Sequence, residues 1–221
     1  MPHVQCIFYI GHLTHFGHAG VMHHCDRPWN SVEEMDEALI RNWNSTVTKK
    51  DTIYILGDFA WKDHRKYVSA LNGKKVLIKG NHDKMPQLSL EQFTEVTPRK
   101  ELKIDGRLIV LDHYPMFSWR NSCHGSWHAH GHTHNSPFVH PYLAINVGVD
   151  VQGYIPVNWY VLKQMFLEKE SKLNMSLDHH DTNPPQRVKL LLGDILNEFR
   201  KDEISLQRER LQEMYDLLSN F

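Results

Sequence analysis

Five short polar blocks, each at or near the end of an apolar run, constrain this chain more than any other feature. In order they are Thr14-His15, Gly57-Asp58, Gly80-Asn81-His82-Asp83, His113 and Gly131-His132-Thr133-His134. On an extended backbone alternate side chains share a face, so His132 and His134 would reach one place. Gly131 lets the backbone bend close to that place. Neutral imidazole is the commonest side-chain metal ligand. Asp, Asn and His together suit divalent first-row ions such as Mn, Fe, Ni or Zn. Taken singly, each block also fits a turn or a helix cap. The ordered series is what points to chemistry.

The apolar runs predict where these blocks sit. Val4 to Ile10 reads as a buried first strand, followed by a glycine-rich loop to His18. Ser31 with Glu34 three residues on is a capping box, and Val32, Met35, Leu39 and Trp43 mark one helical face. A second strand spans Thr52 to Leu56, a helix about Asp63 to Leu71, and a third strand Lys75 to Lys79. Strand and helix in alternation imply parallel pairing through right-handed crossovers, with the polar blocks at the carboxyl ends of the strands. After Pro86, strands are expected over Phe93 to Val96, Glu101 to Ile104, Leu108 to Leu111, Ser126 to His130, Leu143 to Val147 and Val157 to Leu162. Asp105-Gly106 is a hairpin turn. This half reads as antiparallel, giving two facing sheets with helices outside.

The C-terminal part differs in texture. Residues 1–165 form the expected domain, 166–187 a polar linker with Pro184-Pro185, and 188–221 a helical extension with a break near Lys201-Asp202. That extension reads as a hairpin docked on its own domain or as a homodimer contact. The formal net charge of −1 provides no global field for nucleic acid or an anionic membrane. No apolar run approaches the ~20 residues that span a bilayer, and no signal peptide is seen. Cys6, Cys25 and Cys123 are few, odd in number and widely spaced, as expected of reduced thiols in the cytoplasm.

Two such ions ~3.5–4 Å apart can clamp a phosphoryl group and activate water, which requires a bridging carboxylate. Asp58 is the candidate. Asn81 offers a neutral oxygen, His82 suits an acid for the leaving oxygen, and Asp83 is placed to hold that imidazole. With Gly57-Asp58, Gly80-Asn81-His82-Asp83, His113-Tyr114-Pro115 and Gly131-His132-Thr133-His134, the chain resembles the calcineurin-like metallophosphoesterases over about residues 4 to 164. His15-Phe16-Gly17-His18 and Asn146-Val147-Gly148-Val149-Asp150 resemble the small bacterial and phage members. The resemblance implies a four-layer α/β/β/α sandwich. It implies a first ion on His15, Asp58 and His134 and a second on Asp58, Asn81, His113 and His132. It implies His82 as phosphate ligand and acid, and hydrolysis of phosphoric esters by a metal-activated hydroxide. Gly-Asn-His is the form of that block that leans toward diesters.

One position departs from the pattern. The family's first block is Asp-x-His, and here the Asp position is Leu13, which cannot bind a metal. On an extended backbone His12 would point away. Asp26 and Asp112 are spare carboxylates that nothing places nearby. The first ion therefore has three protein ligands, and the alternative function is a degenerate member that binds a phosphorylated ligand or partner without turnover. His18 and Arg120 are candidate phosphate contacts. His128 and His130 are expected at the surface or behind the site, and Trp61, Trp119 and Trp127 in the core. The expected partners are a small phosphate ester or nucleotide; nucleic acid is not favoured.

Overall fold

The first three strands alternate their side chains between two apolar layers. The computed structural model describes residues 8–11, 13–136 and 140–175. In order, these form β1 (Phe8–Gly11), α1 (Ala19–His24), α2 (Val32–Thr46), β2 (Thr52–Ile55), α3 (His64–Ala70), β3 (Lys74–Ile78), α4 (Gln87–Leu90) and β4 (Glu95–Thr97). There follow β5 (Arg99–Ile104), β6 (Arg107–Asp112), β7 (Trp127–His130), β8 (Ala144–Asn146), β9 (Val157–Asn158) and α5 (Trp159–Met175). Ser31 caps α2 as expected, its hydroxyl accepting from Glu34 N at 3.1 Å; Glu34 reaches back to Asn30 N. Met35, Leu39 and Trp43 bury the inner face of that helix against Ile53 and Ile55.

The strands form two sheets, ordered β4-β3-β2-β1-β9 and β5-β6-β7-β8. In the first, β1 to β4 are parallel and β9 runs antiparallel. Ile10, Leu56, Val76 and Ile78 on its inner side meet Ile109, Leu111, Trp127 and Ala129 of the second sheet. Helices α1 to α3 cover its other side. The molecule is thus mixed α/β, with two mostly parallel sheets flanked by helices. On the outer face of the second sheet, Val110 and Ala144 lie under Trp119, Met116 and Tyr142 from the connecting loops.

Three expectations are corrected. The second sheet is not antiparallel: only β5 and β6 form a hairpin, through Asp105 and Gly106 at φ 51° and 79°, while β6, β7 and β8 are parallel. The long returns over 113–126 and 131–143 allow this, and alternation within a strand carries no information about its neighbour's direction. Val157 to Leu162 is not one strand. Asn158 Oδ1 accepts from Val161 N and starts α5, whose Trp159, Leu162 and Phe166 face the core at helical spacing. Finally, α5 runs on to Met175, so a boundary after 165 would cut a helix. Phe166, fully buried, stacks on Trp127 at 4.6 Å with 9° between planes. The expected C-terminal helices over 188–221, and any homodimer contact they make, lie outside the described residues.

Candidate metal centre

Every polar block follows the carboxyl end of a strand. β1, β2 and β3 end together because they are parallel, and so do β6, β7 and β8. Past β1 and β2 the two chains stay paired: Leu13 N donates to Gly57 O (3.3 Å), His15 N to Asp58 O (3.0 Å) and Phe16 N to Phe59 O (3.1 Å). Gly57, at φ 90°, lies so close to Gly80 that a Cβ there would strike the Gly80 backbone and, at 2.6 Å, His113 Nδ1. That approach brings the loops after β2 and β3 together under Asp58.

The blocks are not extended. Leu13, His15, Asp58, His132 and His134 all have positive φ, between 49° and 62°. Non-glycine residues seldom adopt this region, and such conformations concentrate at functional sites. Strand alternation therefore does not align His132 with His134. The turn after β7 sends His132 to His113 and His134 to His15.

Asp58 is almost fully buried, and its Oδ2 lies 3.6 Å from His15 Nε2 and 3.5 Å from His113 Nε2. Its Oδ1 accepts from His82 N at 2.9 Å. His113 Nδ1 is 2.9 Å from Leu56 O, which can only accept, so Nδ1 donates there and Nε2 is the nitrogen turned to the cluster. That Nε2 faces Asn81 Oδ1 at 2.8 Å and His132 Nδ1 at 3.1 Å. Burial, foremost, lowers the pKa of His132, which favours its neutral form. Side-chain atoms of Asn81, Asp58, His113 and His132 thus converge on one place. Asp58, His113 and His132 bring their donor atoms within 4.8 Å of one another, a group that could hold a metal ion.

The other flank fits an ion less fully. His15 Nε2 is buried and makes no hydrogen bond among the described residues, and burial, followed by nearby cationic groups, lowers its pKa to about 2. His134 stacks on His15 at 5.2 Å. Its Nδ1 is 2.9 Å from Asp150 Oδ2. Burial opposes its charge, but bonds to Asp150 and Cys25 outweigh this and push its pKa up to about 9. Asp150 thereby fixes the proton on Nδ1 and leaves Nε2 as the nitrogen able to bind an ion once deprotonated. Arg27 grips Asp150 at 2.7 and 3.1 Å and also donates to Leu13 O and Thr14 O. Leu13 is fully buried and packs toward Gly148. Asp26 is exposed, and Asp112 holds Arg99 and Tyr114 N, so neither replaces the missing carboxylate.

Three sequence expectations change here, for Asp83, Arg120 and Trp61. Asp83 does not hold the His82 imidazole. Its carboxylate, 2% exposed, accepts from Asp58 N (2.8 Å), Phe59 N (2.9 Å) and Gly80 N (2.7 Å), so it holds the Asp58 loop. Arg120 is exposed and pairs with Glu101 at 2.9 Å; the structure does not bring it to the cluster. His18 does lie beside the site, stacked on Trp61 at 4.3 Å. His128 and His130 are buried on the outer face of the second sheet. Trp119 and Trp127 are core residues as expected, but Trp61 is 51% exposed. Asp150 carried a signal in Asn146-Val147-Gly148-Val149-Asp150. Arg27 and Cys25 carried none, because their part depends on contacts distant in sequence.

Fold and site define an α/β protein whose sheets deliver histidine, aspartate and asparagine to one cluster. No family model matches the sequence. The uncharacterized protein MJ1445 of Methanocaldococcus jannaschii is 38% identical over 156 residues, 66% of this chain and 82% of that protein. The gene 66 protein of Mycobacterium phage D29 is 30% identical over 171 residues, 62% of this chain and 84% of its own length. The chain belongs to the family of these proteins. A protein of unknown function from Aquifex aeolicus, AQ665, has the same fold: TM-score 0.61 at 23% identity, over 73% of this chain and all of that one.

Proposed function

We propose that this chain is a metal-dependent phosphoric ester hydrolase of the calcineurin-like kind, with diesters favoured over monoesters. The observation that carries the reading is Asp58 Oδ2, placed between His15 Nε2 and His113 Nε2 at 3.6 and 3.5 Å. His15, Asp58 and His134 would hold one ion, and Asp58, Asn81, His113 and His132 the other. Bound there, two divalent ions would offset phosphoryl charge and activate water. Asn81, His82 and His132 are exposed, whereas His15, Asp58 and His113 form a buried floor. An ester arriving from solvent therefore meets Asn81, His82 and His132 before the buried floor. His82 stands free of Asp83 and is positioned to give its proton to the leaving oxygen. The proposal includes the four-layer α/β/β/α arrangement, which needs a helical layer on the outer face of the second sheet.

Leu13 favours a second reading, a binder of phosphorylated ligands without turnover, because it leaves the first ion one carboxylate short. Protein loaded with Mn²⁺, Ni²⁺ or Zn²⁺ is to be assayed on bis-p-nitrophenyl phosphate, p-nitrophenyl phosphate and 2′,3′-cyclic nucleotides. Hydrolysis that is fastest for a diester and lost in Asp58→Asn is the expected result. Phosphate binding without hydrolysis under every metal would leave the second reading.

A further inference from the structure

Trp61 is the one tryptophan expected in the core that the structure instead leaves half exposed, at 51%. Its backbone is fixed, Trp61 N donating to Phe16 O at 2.8 Å. One face of the indole is taken by His18, at 4.3 Å and 13° between planes. The indole also lies 5.7 Å from the His82 ring. On the far side of Asp58, Tyr114 is 45% exposed and packs edge-on to His132 at 4.6 Å. An aromatic residue thus stands on each side of the cluster, one by His82 and one by His132.

We infer that Trp61 is a base-stacking residue and that the substrate is a phosphodiester whose leaving group is a nucleoside. This rests on the function proposed above. His82 would protonate the leaving oxygen, so the group attached to that oxygen is the one that faces Trp61. A nucleobase, one ribose away from the phosphate, presents a flat π-face to the exposed indole. Such stacking tolerates any base, because every base has a π-face. The other substituent of the diester would point to Tyr114.

The test is titration calorimetry on Mn²⁺-loaded protein, with metal content measured alongside. The probes are adenosine 5′-monophosphate, ribose 5-phosphate and phenyl phosphate. Losing one base stack costs about 5- to 150-fold in affinity. Wild type is expected to prefer the nucleotide over ribose 5-phosphate by at least about fivefold. In Trp61→Ala the two should bind within about twofold of each other, and Trp61→Phe should restore most of the preference. Thermal melting checks that each variant is folded. Equal binding of nucleotide and ribose 5-phosphate by wild type would overturn the inference and leave the hydrolase reading intact. Phenyl phosphate binding as tightly as the nucleotide, with the same dependence on Trp61, would overturn the nucleoside assignment. Metal-loaded protein that binds none of the three would remove both.

Discussion

At the scale of single residues, the candidate centre depends on two carboxylates with different tasks. Asp58 faces the histidines, and Asp83 ties the Asp58 loop by three backbone N–H groups. Asp83→Ala removes that tie and leaves buried donors unpaired, at a cost of about 1–3 kcal/mol each where water cannot enter. We expect a lower urea midpoint together with loss of bound metal, because the loop that carries Asp58 is released. A stable variant that keeps its metal would show that the loop holds itself. Leu13→Asp tests the missing ligand. Positive φ at Leu13 and His15 replaces the extended geometry that sequence alone suggested, and Leu13 is fully buried. An unpaired carboxylate there is costly, so the variant should melt lower in chelator than wild type. It should recover more on adding Mn²⁺ and bind a first ion more tightly by calorimetry. Unchanged affinity in a folded variant would mean that Leu13 does not point at the first ion.

At the scale of elements, α5 and the outer face of the second sheet carry the testable energetics. Phe166→Ala removes the ring stacked on Trp127 and should cost about 3–5 kcal/mol in denaturant unfolding. By the same contact, a chain ending at 165 should be markedly less stable than one ending at 175. His130 and His140 are buried behind β7 and β8, near His128 and Lys169, and burial above all lowers their pKa values to about 3 and about 4. A depressed folded-state pKa means that the unfolded chain binds the proton first. Their contribution is therefore complete above the ordinary histidine value of ~6.5 and is lost as pH falls toward those lower values. Each group can lose up to about 1.4 kcal/mol per pH unit in that window. Wild-type stability should fall between pH 6.5 and 5.5, and His130→Gln should flatten the fall. Parallel curves for the two proteins would refute it.

At the scale of the whole molecule, a ligand that binds only the folded state raises its stability, by about 2.7 kcal/mol at a hundred times its dissociation constant. Excess Mn²⁺ should accordingly raise the melting temperature of wild type and leave that of Asp58→Asn nearly unmoved. Equal shifts would place the ion elsewhere. Much of this molecule was legible in its sequence. Apolar runs ending in Gly-Asp and Gly-Asn-His located β2, β3 and the turns after them, and Ser31 with Glu34 located the start of α2, because these signals are local. What was not legible depended on contacts between distant segments. Strand alternation does not reveal a neighbour's direction, yet it is the parallel run of β6, β7 and β8 that brings His113, His132 and Asp150 to one edge. Antiparallel strands would have put His113 and His132 at opposite ends. Composition could not tell the exposed Trp61 from the buried Trp127, nor Asp83 as a loop tie from Asp83 as a partner of His82. The sequence by itself determined which donor groups exist and that they end strands. Only the tertiary structure decided which of them meet, because that follows from strand order, direction and the turns at positive φ.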